Sequence, residues 1–204
     1  MFKRLIKSAT DGAKALASSA ADAADIAKIG ARLQALVSAG NFAKLKALAD
    51  SLVSVTGAAA GSAAEAPAAL KKIFDPAHLA TLWDLVCRIT TAIIYLRSTI
   101  KSSPAVAEPL KEVLESIRTL RAVKTAADME CCVRDLETKL KRARSVIGQD
   151  GGLVAWLIDS IISGIAAMIA GGFNFTGDFV VAVAIDSVDM HLSVLEIILS
   201  YVLE

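Results

Sequence analysis

The sequence predicts an all-α protein: a multi-helix bundle of about eight helices that ends in a hydrophobic helical hairpin. Apolar residues recur every three or four positions along most of the chain, which is the helical period. Hydrophobic residues make up 55% of the chain, aromatic residues make up 5%, and only four prolines interrupt it. Much of the hydrophobic share is alanine, a strong helix former. This composition disfavours a β-sandwich or a β-barrel.

The N-terminal segment, residues 1–57, is predicted to contain amphipathic helices. Residues 2–13 place apolar side chains on one helical face and basic side chains on others. That pattern fits either an anchor for anionic lipid or an ordinary amphipathic helix. A second apolar stripe, Ile26–Val37, ends at Gly40–Asn41, and a further helix covers Phe42–Val55.

Residues 58–67 form a linker rich in small residues, and a central helical bundle is predicted over residues 68–148. The bundle opens with a short helix, Ala68–Phe74. Asp75 is expected to cap a long helix and Pro76 to occupy its first position. Ser103–Pro104 is expected to end that long helix.

The starts of the last two helices of the central bundle are predicted from short sequence patterns. One begins around Pro109, and the next begins after Thr125, which forms a capping-box pattern with Asp128. In that second helix, apolar residues at alternating spacings of four and three form a short heptad-like seam: Met129, Val133, Leu136, Leu140, Ala143 and Ile147.

Residues 149–204 are predicted to form the hairpin. Leu153–Ala170 is an almost continuous apolar run, which reaches about 27 Å as a helix and falls just short of a comfortable bilayer span. Gly171–Asp178 is expected to be a turn. Phe179–Leu203 is also apolar, with acidic residues and serines in a stripe at helical spacing. Its valine-rich start would pass for a strand, but a lone strand would have no pairing partner, so a helix is expected.

Charge divides the chain into two parts. Residues 1–148 carry all 22 basic residues and 14 of the acidic ones, a net charge of +8. Residues 149–204 carry seven acidic residues and no basic residue, a net charge of −7. Such asymmetry bears on partners and assembly. Charge complementarity between the C-terminal helices and the rest of the bundle is an alternative explanation.

Enzyme chemistry is not indicated. His78 and His191 are far apart in sequence, and no metal-binding or phosphate-loop pattern is present. Cys131 lies close to one arginine, which is weak support for a reactive thiol, and packing is the better explanation of the vicinal cysteines. We therefore predict no catalytic residue, no cofactor and no metal site.

The location is expected to be intracellular or particle-associated. Cys87, Cys131 and Cys132 cannot all pair with one another, and an adjacent pair in one helix would be strained. A reducing compartment fits this pattern, and no secretory signal is recognised at the N-terminus. The basic cluster at residues 139–144 suggests phosphate contact or, more simply, cations at a helix C-terminus, so nucleic acid is an unlikely partner.

The C-terminal pair resembles in outline the central hydrophobic hairpin of pore-forming helical bundles, namely the colicin channel domain, the diphtheria translocation domain and the Bcl-2 fold. The resemblance covers residues 153–203 and implies insertion into a membrane. The alternative is a structural component of a large particle such as a viral capsid, with the hairpin buried against partner subunits in a homo- or hetero-oligomer. Association with a lipid membrane is the first expectation.

The predicted contact residues, for membrane or partner, are the apolar residues of the hairpin: Leu153, Trp156, Leu157, Ile161, Ile165, Met168, Phe173, Phe175, Phe179 and Val183. A second set of residues is expected to sense pH. Protonation removes the cost of placing a carboxylate in a membrane, which applies to Asp159, Asp178, Asp186 and Asp189. His191 joins the set because a histidine side chain can change its charge within the physiological pH range.

Overall fold

The computed structural model describes residues 20–56, 62–148, 151–172 and 179–204, without the side chains of 20–23, 55–56, 126–127 and 179–187. Over these residues the protein is all-helical, and the expected helical bundle is confirmed. The described helices are α1 (Ala20–Ser38), α2 (Phe42–Thr56), α3 (Ala68–Ile73), α4 (Leu79–Ser102), α5 (Ala107–Ala122), α6 (Ala126–Ile147), α7 (Gly152–Ala170) and α8 (Phe179–Leu203). The helix expected over residues 2–13 lies outside the described residues.

The chain divides into two compact units, Met1–Ala92 and Ile93–Glu204. Helix α4 contributes to both units. The segment boundaries predicted from composition, at residues 57, 67 and 148, remain predictions. Part of the predicted linker is ordered as a short 3₁₀ turn, Ala63–Glu65, in which Glu65 accepts a hydrogen bond from the Ser62 backbone at 3.0 Å.

In the first unit, α1 packs against α2 and α3. Gly40 adopts a positive φ of 84° and ends the turn between α1 and α2, which is the stop that the sequence indicated. Gly30 permits a close approach between α1 and α3, because a side chain there would meet Leu70 and Phe74. Both Leu70 and Phe74 are buried.

The start of α4 differs from the prediction. The helix begins at Leu79, and the three residues before it form a turn. Asp75 does cap, but it caps that turn: its Oδ1 accepts from the Ala77 amide at 2.8 Å. Further along, Asp84 and Arg88 form an ion pair at 2.9 Å with side chains 6% and 9% exposed. A charged pair spaced by four residues is therefore part of the interior of an otherwise apolar helix.

In the second unit, α5 to α8 form a closed four-helix bundle. Each helix packs on two neighbours, in the pairs α5–α6, α6–α7, α7–α8 and α5–α8. Thr125 caps α6 by accepting from the Asp128 amide at 3.2 Å, as the sequence predicted. The helix expected near Pro109 begins at Ala107. The predicted seam of α6 is buried from Val133 to Ile147.

Candidate membrane-interaction site

Helix α7 is the most apolar helix of the described chain. It has 19 residues, and its best 18-residue window has a mean hydropathy of 2.1. At 1.5 Å per residue it is about 28 Å long, close to the thickness of a bilayer core. Helix α4 is also long and apolar enough to cross a membrane, with a mean hydropathy of 1.5 over its most apolar 18 residues. Within the most apolar 18 residues of each helix, 61% are buried in α4 and 39% in α7. The greater burial of α4 is typical of a core helix.

The predicted contact residues of α7 fall into two groups. Leu157, Ile161, Ile165 and Met168 are buried inside the second unit. Leu153 and Trp156 are partly exposed. Phe173 and Phe175 lie outside the described residues, as do the side chains of Phe179 and Val183. The structure thus places the strongest apolar side chains of α7 in the core of its own bundle.

Asp159 is the only charged residue of α7, and it has a partner within the chain. Its Oδ1 accepts from Arg144 Nε on α6 at 2.8 Å. The Asp159 side chain is 53% exposed and that of Arg144 is 22% exposed. The pair joins the last turn of α6 to the middle of α7 and compensates the one charge of that helix.

The polar stripe of α8 faces α5, where Arg121 engages three of its side chains. Arg121 donates from Nε to Glu196 at 2.8 Å, from Nη2 to Ser193 at 2.8 Å and from Nη1 to Asp189 at 3.3 Å. These acceptors are spaced by three and four residues, so they share one face of α8. One guanidinium near the end of α5 therefore holds almost two turns of α8.

The C-terminal end of α8 has two further arginine contacts. Arg97 donates to the backbone oxygen of Tyr201 at 2.7 Å, and Arg118 pairs with Glu204. The hydrogen bond to Glu204 raises the pKa of Arg118 above its usual value. Three arginines of the second unit, Arg97, Arg118 and Arg121, thus meet the C-terminal part of α8, from Asp189 onward.

Of the remaining residues expected to sense pH, His191 has a described side chain, whereas Asp178 and Asp186 do not. The ring of His191 lies 5.1 Å from the ring of Trp156 on α7. Asp178 lies outside the described residues, and so does the side chain of Asp186. The structure therefore gives ion-pair partners for Asp159 and Asp189 and a ring contact for His191.

Each cation of the basic cluster on α6 has an acidic partner. Lys139 pairs with Asp135 at 2.8 Å, Lys141 with Glu137 at 2.7 Å, and Arg142 with Glu112 of α5 at 2.7 Å. Arg144 pairs with Asp159, as described above. These contacts compensate the cluster within the second unit, which supplies a simpler role for it than phosphate contact.

One carboxylate at the α5–α6 interface has a perturbed pKa. Lys139 donates to Asp135, and the buried hydroxyl of Ser116 also donates to Asp135 at 3.0 Å. The hydrogen bond from Lys139 holds the pKa of Asp135 below its usual value, and the bond from Ser116 acts in the same direction. This cluster favours the folded bundle when Asp135 is ionised.

The sequence did not identify the arginines that meet the C-terminal acids. Arg118 and Arg121 belong to an amphipathic helix in which neither stands out by spacing. The net charges of +8 and −7 for the two parts of the chain were the available signal, and they indicated complementarity without naming a pair.

Cys87 is buried, Cys131 is exposed, and none of the three cysteines is in a disulfide in the described chain. No cluster of three or more metal-ligating side chains occurs among the described residues. Comparison with protein-family models, with curated proteins and with solved structures finds no match for this chain.

Proposed function

We propose that this chain is a non-enzymatic protein that interacts with membranes through its C-terminal helices, α7 and α8, acting as a hydrophobic hairpin. The observation that carries the proposal is α7: a helix of bilayer length that packs in a four-helix bundle and whose one charged residue is paired with Arg144. The connection between α7 and α8 falls largely outside the described residues, so the hairpin is itself part of the proposal.

The contacts of α7 support storage of the hairpin in a soluble form. The buried face of α7 packs on α6 and α8, and its one charge pairs with Arg144. An ionised carboxylate costs about 3 kcal/mol at the centre of a bilayer on insertion scales. Release of α7 therefore requires that Asp159 lose its charge or its partner, and protonation achieves both in one step.

The same reasoning extends to α8. Asp189 and Glu196 are held by Arg121, and Glu204 is held by Arg118. Protonation of these carboxylates weakens the hold of α5 on α8 and lowers the cost of transferring the helix out of water. An all-acidic pair of helices is suited to an acid trigger, because a lysine in the same place would keep its charge.

Assembly into a large particle is the competing function. In that case α7 and α8 would be buried against partner subunits, and the exposed small residues of α7, among them Ser163, Ala166 and Ala167, would be covered by protein. The acids Asp159 and Asp189 already have partners in their own chain, so charge pairing across an interface is not required by them. This observation favours the membrane proposal.

Depth-dependent quenching of Trp156 tests the proposal. The chain has two tryptophans, and Trp83→Phe leaves Trp156 on α7 as the reporter. The Trp83 indole nitrogen is buried without a hydrogen-bond partner among the described residues, so phenylalanine removes an unpaired donor. With vesicles containing brominated lipids, insertion predicts quenching of Trp156 at about pH 4 and none at pH 8. Absence of quenching at both values, with the fold retained at pH 4, would contradict the proposal.

A further inference from the structure

His191 on α8 and Trp156 on α7 form an aromatic contact between the two C-terminal helices. Their ring centroids are 5.1 Å apart, and the ring planes are tilted by 38°. This separation lies within the range of roughly 4.5–7 Å over which aromatic rings attract one another. Both side chains are half-buried, so protons from solvent reach the imidazole. The contact between α7 and α8 therefore includes one side chain that titrates near neutral pH.

Protonation of the imidazole adds an attraction to this contact. A cation within about 6 Å of an aromatic ring centroid is attracted to the negative face of the ring, and tryptophan is the strongest partner. The centroid separation of 5.1 Å is inside that limit, and the tilt of 38° leaves the rings closer to stacked than to edge-on. Neutral His191 has the ring contact alone, whereas charged His191 gains the cation–π attraction as well.

The described acids near the two rings already have arginine partners. On α7, Asp159 is the only charged residue; it lies one turn beyond Trp156 and binds Arg144 of α6. The side chain of Asp186 lies outside the described residues. The charged residues that contact one another or the backbone around α7 and α8 are four acids and four arginines: Asp159, Asp189, Glu196, Glu204, Arg97, Arg118, Arg121 and Arg144.

His191 faces a different side of α8 from these acids. Asp189 and Glu196 contact Arg121 on α5. His191 comes two residues after Asp189, which turns it by about 200° around the helix axis, and its ring meets α7. The indole ring is thus a contact of His191 that is separate from the ion pairs with α5.

We propose that the His191–Trp156 contact is a pH-dependent latch, which holds α7 to α8 more tightly when His191 is protonated. The charged form of His191 gains a partner in the folded protein, so the stabilisation is complete below about pH 6.5, the ordinary pKa of histidine. It is lost as the pH rises through the pKa of the folded state.

The latch has the opposite pH dependence to the ion pairs that hold the two helices in the bundle. Pairs of carboxylates with Arg121 and Arg144 are lost in acid, as the carboxylates protonate. Mild acid therefore strengthens the contact between α7 and α8 while it weakens their contacts with α5 and α6. If the proposed membrane function holds, the two helices leave the bundle together as one hairpin. The latch itself is a property of the protein in solution.

NMR titration of the full chain between pH 5 and pH 8, without lipid, tests the latch. The chain has two histidines, and His78→Gln assigns the two imidazole resonances. The titration midpoint of His191 should fall by about 0.5 pH units in Trp156→Leu, which corresponds to loss of a partly exposed cation–π contact. Trp156→Phe should give a smaller fall, because phenylalanine attracts a cation less strongly. An unchanged or higher midpoint in Trp156→Leu would overturn the proposal.

Leu153→Ala is the matched control for the NMR titration. Leu153 is half-buried on α7, one turn before Trp156, and carries no ring. Its truncation loosens the packing of α7 but keeps the indole, so the His191 midpoint should stay at the wild-type value. A fall as large as that of Trp156→Leu would show that general loosening of α7, and not the ring, sets the midpoint.

A double-mutant cycle gives a second measurement. Urea unfolding of wild type, Trp156→Leu, His191→Gln and the double variant yields the coupling between the two side chains. Expressed as an equilibrium constant, the coupling should be about threefold larger at pH 5.5 than at pH 8, which matches a midpoint shift of about 0.5 pH units. Equal coupling at the two pH values, or stronger coupling at pH 8, would overturn the latch.

Neither measurement includes lipid, which separates the latch from the proposed membrane function. An unchanged His191 midpoint overturns the latch even where the protein binds vesicles in acid. The expected midpoint shift together with no vesicle binding would support the latch and overturn the membrane proposal.

Discussion

Arg144 on α6 donates to Asp159 on α7 across 2.8 Å, and the two residues are 15 positions apart in the chain. This contact connects the most basic stretch of the protein to the only charge in its most apolar helix. Basic and acidic residues from the two parts of the chain therefore pair inside the second unit, where arginines of α5 and α6 contact acids of α7 and α8.

The contacts of Arg121 predict that its replacement destabilises the fold much more than replacement of Arg118 on the same helix. Arg121→Gln loses the bonds to Asp189, Ser193 and Glu196, and leaves the buried Ser193 hydroxyl without this donor. We expect the free energy of unfolding to fall by about 1–3 kcal/mol. Arg118→Gln is the matched control, because it loses one exposed pair with Glu204 and should not shift the urea midpoint. Equal effects of the two variants would contradict the role given to Arg121.

Gly164 predicts how tightly α7 and α8 pack. A Cβ at this position would lie 2.3 Å from Val188 Cγ2. Overpacking of this kind costs about 1–3 kcal/mol, which exceeds the gain of up to about 1 kcal/mol from replacing glycine by alanine in a helix. Gly164→Ala should therefore lower the melting temperature. Val188→Ala, combined with Gly164→Ala, should restore part of the loss, and additive effects would show that the helices do not meet there.

Much of this architecture was accessible from the sequence. The apolar seam of α6 and the cap at Thr125 were predicted because both depend on residues within a few positions of one another. The valine-rich start of α8 was correctly assigned to a helix. The start of α4 was misplaced by three residues, because Asp75 and Pro76 serve the preceding turn.

The ion pairs between the helices of the candidate site could not be predicted from the sequence in the same way. Arg121 and Glu196 are 75 positions apart, and the sequence gives no register between α5 and α8. The buried Asp84–Arg88 pair was also missed, because a charge pair at this spacing usually lies on an exposed helical face. Local periodicity predicts the helices, whereas contacts between helices depend on how the bundle closes.

Asp135 predicts a pH dependence of stability at the α5–α6 interface. Its pKa in the folded protein is lower than its usual value, chiefly because of the bond from Lys139. Its contribution is therefore complete at neutral pH and is lost as the pH falls through the folded pKa. Asp135→Asn should lower stability at pH 7 by roughly 0.5 kcal/mol, a small value because the exposed pair is screened.

Thermal unfolding of wild type and Asp135→Asn across the acid range provides the measurement. The two melting temperatures should differ at pH 7 and converge once Asp135 is protonated in both the folded and unfolded states. Glu130→Gln, which loses an exposed pair with Arg134 within α6, is the control for a change of charge alone. A difference that grows toward acid would contradict the assignment.

Replacement of the cysteines by serine is predicted to change stability and to leave function unchanged. Cys87→Ser places a hydroxyl at a buried position and should lower stability by about 1–2 kcal/mol. Cys131→Ser changes an exposed side chain and should have no measurable effect. The triple variant with Cys132→Ser should bind vesicles as wild type does. Loss of vesicle binding with the fold preserved would show that a thiol takes part in function.

Vesicle flotation of Asp159 variants between pH 4 and pH 8 tests the central proposal most directly. Asp159→Asn removes the charge and the pair with Arg144, so binding should appear closer to neutral pH than in wild type. Asp159→Lys keeps a charge at every pH tested and should suppress binding throughout. Asp50→Asn, which removes an exposed carboxylate paired with Lys46 on α2, should behave as wild type. If wild type and Asp159→Asn both stay unbound down to pH 4, acid-triggered insertion is wrong, and a lower melting temperature of Asp159→Asn without lipid binding would favour the assembly role.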